Sequence, residues 1–298
     1  MSLPSLDSLA CFEAAARLLN FRAAAASVAL TPAALGQRIR QLEELLGARL
    51  FHRTTRSVRL TEAGLSLLPV ARRCLAEAHE CIRAARGEIG PPPTELTLGT
   101  RYELGLSWVT PVLPRLSAAL PHLTVHLYFG SGPDLLSRLR VLALDVAVTS
   151  ARLTDPLFLA EPLHEEHYAL VGAPSLLKAR PLRRARDAAA HTLLDVDADL
   201  PLFRYLREAP GFDQQLRFGN VHRVGTGGAI HALALAGKGL AVLPLYMVAG
   251  DLRRRRLARV LPRQQLLSDW FRLVFRADDP RRPLYEAVAA TLRAAPLS

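Results

Sequence analysis

The sequence predicts an α/β protein in two parts, a small helical head ending in a two-stranded wing and a larger region where strands alternate with helices. Three observations predict it. Thr31 to Leu60, TPAALGQRIRQLEELLGARLFHRTTRSVRL, carries a helix start, an apolar stripe, a helix stop and then alternating apolar and basic residues. From Leu68 to Ile89 apolar residues step by three and four. Beyond Glu95, short apolar runs of strand length alternate with stretches of helical spacing.

Length and composition bound the problem. At 298 residues the chain is long for one hydrophobic core, so two or three domains are expected. Hydrophobic residues at 50% and charged residues at 22% describe a soluble globular chain. The net charge of +11 favours polyanionic partners, yet lysine occurs only at 178 and 238, so arginine enrichment alone also fits. The local balance is more telling: eight arginines stand against two acids between Arg17 and Arg59. The start, MSLPSLDSLA, has no cationic segment before an apolar run, and no apolar stretch reaches the length of a membrane span. A cytoplasmic location without a membrane partner is expected. Cys11, Cys74 and Cys81 are odd in number and sit in helical apolar patterns, so buried thiols in a reducing compartment are expected.

From Ser5 or Leu6 to Leu19, the residues Leu9, Phe12, Ala16 and Leu19 share a helical face, with Asn20 as a left-handed stop. Arg22 to Ala29, RAAAASVA, is a short alanine-rich helix, and Leu30-Thr31-Pro32 is a tight connection. Thr31 offers a side-chain acceptor to a first helical turn, and Pro32 sits where its missing N–H costs nothing. Leu35, Ile39, Leu42 and Leu46 form one stripe, and Gly47 can take the left-handed conformation that ends a helix, so the helix spans 32–46. Two helices joined by so short a turn make a helix-turn-helix.

The face opposite that stripe carries Ala33, Gln37, Arg40 and Glu44, with Thr31 and Pro32 at its amino end. An amide can read adenine bidentately, a guanidinium can read guanine, and small residues permit close approach to base edges. Taken alone the helix reads equally as a solvated amphipathic one; its neighbours decide. Leu50 to Leu60, LFHRTTRSVRL, is a hairpin around a Thr54-Thr55 tip, where Arg53 and Arg56 suit phosphates or a narrow minor groove. Thr31, Pro32, Ala33, Gln37, Arg38 and Arg40 are therefore candidates for the major groove. Arg22, Arg53, Thr54 and Arg56 are candidates for phosphate or minor groove.

Thr61 opens a long helix in which Leu68, Ala71, Leu75, Ala78, Ile82, Ala85 and Ile89 form a heptad seam. The seam asks for a partner helix, from a second copy that would match a palindromic operator or from elsewhere in the chain. Pro69 is expected to kink or delay the start of this helix. GEIGPPPT, from Gly87 to Thr94, is a linker.

The arrangement FRAAAASVALTPAALGQRIRQLEELLGARLFHRTTRSVRLTEAG resembles the amino-terminal region of LysR-type transcriptional regulators, at nearly every position from Asn20 to Gly64. Ala33 and Gly36 depart from the serines common there, and Leu142, in LALD, from a common glycine. The resemblance implies a winged helix-turn-helix over 1–61, a dimerising linker helix over 62–90 and an effector-binding region over 91–298. That region would be a two-lobed α/β sensor like type 2 periplasmic binding proteins, with lobe I from 95–168 and 267–298 and lobe II from 169–266. It also implies double-stranded DNA, a small-molecule effector, a homodimer or homotetramer and RNA polymerase as partners.

In the larger region, strands are read at 95–100, 123–129, 144–149, 167–172, 193–197, 221–225, 239–244 and 270–275. Helices are read at 104–120, 133–142, 229–236 and 281–294. The alternation signals mostly parallel sheets covered on both faces. Ligands in such sheets sit beyond the carboxyl ends of the strands. This makes Thr100, Arg101, Tyr102, Gly130, Ser131, Thr149, Ser150, Thr226 and Gly227 candidates for the effector cleft, along with Gly228. GTGG precedes a helix whose amides could hold a carboxylate, though such glycines also serve as a plain turn.

His164-Glu165-Glu166-His167 lacks the spacing of a zinc helix and a third ligand, Lys238 lacks the context of a phosphate loop, and no nucleophile elbow occurs. No catalytic residue, metal or cofactor is expected. The rival reading is a two-lobed binding protein or enzyme that uses its first helices only for assembly; it would call for an export leader or a converging catalytic set.

Overall fold

The computed structural model describes residues 3–54, 57–87, 91–151, 153–213 and 215–297. The head consists of α1 (Leu6–Leu18), α2 (Phe21–Ser27), α3 (Pro32–Leu46), β1 (Phe51–Arg53) and β2 (Val58–Leu60), followed by α4 (Glu62–Ala85). Its core joins Phe12, Ala15, Ala24 and Ala25 to Leu35, Ile39, Leu42, Leu50 and Leu68. Alanines at the α1–α2–α3 crossings let the backbones approach closely, which is what a compact helix-turn-helix needs.

Thr31 caps α3 by accepting from the Ala34 amide at 3.2 Å, and Gly47 ends it at φ +64°. Two local expectations are corrected. Leu19, not Asn20, takes the left-handed conformation after α1, and the Asn20 side-chain Oδ1 caps α2 by accepting from the Arg22 and Ala23 amides. Leu46 is 39% exposed, and Glu43 is buried in its stead. Ala29, exposed in the turn between α2 and α3, also has a positive φ, of 54°. An L residue there is strained by roughly 1 kcal/mol, so Ala29→Gly is expected to raise the thermal midpoint of the head by a few degrees. A lowered midpoint in a melting curve would refute that.

Pro69 lies inside α4 and does not delay its start; Thr61 caps the helix through the Gly64 amide at 3.0 Å. The seam divides. Leu68 and Ala71 are buried against the head, Leu75 and Ala78 are half-buried, and Ile82 and Ala85 are exposed; Ile89 is outside the described residues. Cys11 is buried, but Cys74 and Cys81 are exposed on α4, contrary to expectation, because they point away from the described residues of the head core.

The remainder forms two mixed five-stranded sheets. The chain continues through β3 (Thr94–Thr100), α5 (Tyr102–Leu104), a π turn (Gly105–Val109) and α6 (Thr110–Ala119). It then forms β4 (Leu123–Phe129), α7 (Gly132–Arg140), β5 (Val146–Thr149), β6 (Phe158–Glu166), β7 (Tyr168–Gly172) and α8 (Pro174–Ala179). Next come β8 (Thr192–Asp195), α9 (Arg204–Arg207), β9 (Asn220–Arg223), α10 (Gly227–Leu235), β10 (Leu240–Pro244), α11 (Leu245–Arg253) and β11 (Ala258–Arg259). β12 (Asp269–Arg276) and α12 (Arg282–Arg293) close the chain.

The first sheet runs β4-β3-β5-β12-β6 and the second β11-β7-β10-β8-β9. In each, two ladders are parallel and two antiparallel, so "mostly parallel" is corrected. The reason is the path of the chain: β6 leaves the first sheet for the second and β12 brings it back, and both pair antiparallel in the first sheet. No strand is read from the sequence at β6 because Pro162 and three acids interrupt its pattern; as an edge strand it tolerates a residue without an N–H.

α6 and α12 cover one face of the first sheet and α7 the other. The head leans on this lobe: Leu142, itself at φ +59°, packs against the head core, and Arg72 of α4 lies 3.7 Å from Asp145. No helix among the described residues is long and apolar enough to cross a membrane.

Candidate nucleic-acid face and inter-lobe cleft

On the head, Thr31, Pro32, Ala33, Gln37, Arg40 and Glu44 are all exposed along one side of α3, opposite the buried Leu35, Ile39 and Leu42. Arg22, on α2, is exposed as well. Arg38 turns toward α1 instead, with its guanidinium 3.3 Å from Asp7.

The wing is tied to this helix by a group that sequence reasoning missed. The Glu43 carboxylate accepts from the Leu50 amide at 2.8 Å and the Phe51 amide at 3.3 Å, with Arg49 and Arg53 beside it at 3.6 and 3.9 Å. The Arg53 guanidinium carbon sits over the Phe21 ring, 4.2 Å from its centre. It is thus packed onto the head rather than extended from it. Thr54 closes the turn by donating its amide to the Ser57 carbonyl at 2.9 Å, and its hydroxyl accepts from the Ser57 amide. Arg56 lies outside the described residues.

The second site is the cleft between the two sheets. A cavity of about 510 Å³ is lined by Arg101, Tyr102, Gly130, Ser131, Thr226 and Gly227 together with residues of both lobes. Thr149 and Ser150 line a neighbouring cavity of about 370 Å³, which shares Arg101. Thr100 is wholly buried beneath these cavities and lines neither, and its carbonyl accepts from the Gly130 amide. Ser131 and Thr226 each cap a helix, their hydroxyls accepting from the Asp134 and Ala229 amides.

Arg101 is the charged centre. Its guanidinium donates to Glu166 at 2.9 Å and lies 5.2 Å from the centre of the Phe271 ring. Burial disfavours its charge, but Glu166 together with the Tyr246 and Tyr168 hydroxyls outweighs that and moves its pKa above the ordinary value. Glu166 comes from the histidine-flanked run read as a weak metal motif. His164, from the same run, meets the Trp108 ring edge-on. Burial also pushes the Tyr168, Tyr205 and Tyr246 hydroxyls up, so all three stay protonated donors near neutral pH. Tyr168 and Tyr205 stack at 3.7 Å, and the Tyr205 hydroxyl lies 3.3 Å from buried Asp269. Glu166, Tyr205, Tyr246 and Glu103 are cleft residues that strand ends alone did not indicate.

Two family profiles match the chain: "Bacterial regulatory helix-turn-helix protein, lysR family" over residues 6–65 and "LysR substrate binding domain" over residues 90–296. The chain belongs to the LysR family. Among curated relatives of this LysR-family chain, the glycine cleavage system transcriptional activator of Escherichia coli K12 is 33% identical over 195 residues, covering 64% of this chain and 62% of that protein. The LysR-family match therefore spans less than two thirds of that relative's length. The solved structure of ArgP from Mycobacterium tuberculosis has a TM-score of 0.76 at 24% identity, covering 98% of each chain. Full-length OxyR from Pseudomonas aeruginosa has a TM-score of 0.73 at 18% identity, covering 100% of this chain and 97% of its own. These likenesses give the LysR-family chain its two-lobed α/β fold behind a helix-turn-helix head.

Proposed function

We propose that this chain is a sequence-specific DNA-binding transcriptional regulator, not an enzyme, that acts in the cytoplasm as a homodimer or homotetramer and is tuned by a small molecule in the inter-lobe cleft. The observation that carries the reading is the exposed face of α3, whose amide, guanidinium and small side chains stand clear of the head core. Thr31, Pro32, Ala33, Gln37 and Arg40 approach the major groove, with Arg38 at the edge of that face. Arg22, Thr54 and Arg56 meet phosphate or minor groove, with Arg53 bracing the wing that presents them. RNA polymerase is a further partner if the regulator activates transcription.

The exposed second half of α4, with Ile82 at 51% exposure, supports pairing with a second copy. Two heads held that way read half-sites one helical turn or a multiple apart. For the effector, Arg101, Arg204 and Ser131 in the wall of the larger cavity support a carboxylate. The domain division at 61/62 and 90/91, and lobe boundaries near 168 and 267, follow from the same reading.

A gel-shift assay with the DNA upstream of the gene, at two salt concentrations, tests the reading. Binding that falls with salt and prefers this DNA over random duplex is expected. Arg40→Ala is expected to weaken specific binding by about 1–3 kcal/mol while leaving random DNA nearly unaffected. Equal loss on both would remove Arg40 from the base-reading face.

A further inference from the structure

The amino end of α10 is already filled by the chain itself. Glu103, at the start of the helical run after β3, belongs to the first lobe, and α10 belongs to the second. The Glu103 carboxylate nevertheless accepts from the Gly228 amide at 2.7 Å, across 125 residues of sequence. The other first-turn acceptors are local: the Thr226 hydroxyl takes the Ala229 amide and the Thr226 carbonyl takes the Ile230 amide. A Cβ placed at Gly227 or Gly228 would stand 3.4 Å from the Glu103 carboxyl group, in ordinary van der Waals contact, so the carboxylate lies directly against the glycines of this turn. The contact closes over the same cavity of about 510 Å³ that holds Glu103, Thr226, Gly227 and Met247 in its wall.

We propose that Glu103 is a built-in competitor that determines which effectors the cleft accepts: it seats its own carboxylate at the α10 amino end and bridges the lobes, and a carboxylate effector enters by exchanging with it. This deepens the effector reading above and rests on it. The chemistry is an exchange of like for like. A helix amino end offers free amides and a positive partial charge, which stabilise either carboxylate equally well. Intramolecular attachment gives Glu103 a high effective concentration, so a weak monocarboxylate fails to displace it and only a ligand with further contacts in the cleft succeeds.

The test uses the full chain and acetate as probe, with sodium chloride at equal concentration as control. Residue-resolved deuterium exchange is read at Gly228 in the wild type, Glu103→Ala and Glu103→Gln. Glu103→Ala is expected to exchange about fivefold faster, the factor that corresponds to loss of ~1 kcal/mol, and excess acetate but not chloride is expected to slow it again. Glu103→Gln, which keeps the reach and one acceptor oxygen, is expected to fall between the two. Wild-type exchange is expected to ignore acetate. Unchanged exchange in Glu103→Ala overturns the proposal, as does equal protection of wild type and variant by acetate. Acetate is not the natural effector, so this result stands or falls separately from a screen for effectors of the regulator.

Discussion

Glu166→Ala is expected to destabilise the two-lobed region by about 3 kcal/mol, lowering its thermal midpoint by roughly 6–12 °C. Glu166 has no exposed side-chain surface and is the acid that holds Arg101 in the cleft. Removing it strands a guanidinium over the Phe271 ring. Stranding one member of a buried pair costs about 3–5 kcal/mol, and the lower end applies because the Arg101 side chain keeps 26% exposure and can recruit water. Glu166→Gln keeps the shape and one acceptor, so its cost should be smaller. Replacing both partners with apolar residues of similar volume should recover most of the loss, because a buried pair contributes little net stability over a well-packed apolar replacement. Calorimetry on the single and double variants measures this; a loss below ~1 kcal/mol for Glu166→Ala would mean that solvent already screens the pair.

Glu43→Ala should act on the head with comparable force, by about 2–4 kcal/mol. Its carboxylate serves two amides at the point where α3 hands over to the wing, and the side chain is only 5% exposed. Truncation leaves both amides without an acceptor beneath Arg49 and Arg53, and the wing loses its register on α3. Glu43→Gln retains one acceptor oxygen and should lose about half as much. Thermal unfolding followed by circular dichroism reads the change, and DNA affinity is expected to fall with it and to recover on cooling below the new midpoint. Loss of affinity with an unchanged midpoint would assign Glu43 to DNA contact instead.

Both groups show where reading a linear chain stops. Helix α3 was legible because its signals are local: Thr31, Pro32 and Gly47 mark its ends, and Leu35, Ile39 and Leu42 mark its inner face. Glu43 stands one residue beyond that stripe, and periodicity reads it as solvated. What buries it is a pair of amides seven and eight residues later, which become neighbours only when the wing folds back. Glu166 and Glu103 are harder still, with partners 65 and 125 residues away. The seam on α4 was visible as a pattern, but a heptad does not record what covers it. The head takes Leu68 and Ala71, while Ile82 remains 51% exposed.

The sequence by itself determined the order of the head elements, the ends of α3, its exposed face and the family of the chain, because caps, turns and apolar periods act over a few residues. Only the tertiary structure decided which acids are buried, which strands run antiparallel and which lobe supplies the carboxylate at the end of α10. Those outcomes depend on segments distant in sequence meeting in space, where an unpaired amide or guanidinium takes whatever partner the fold places beside it.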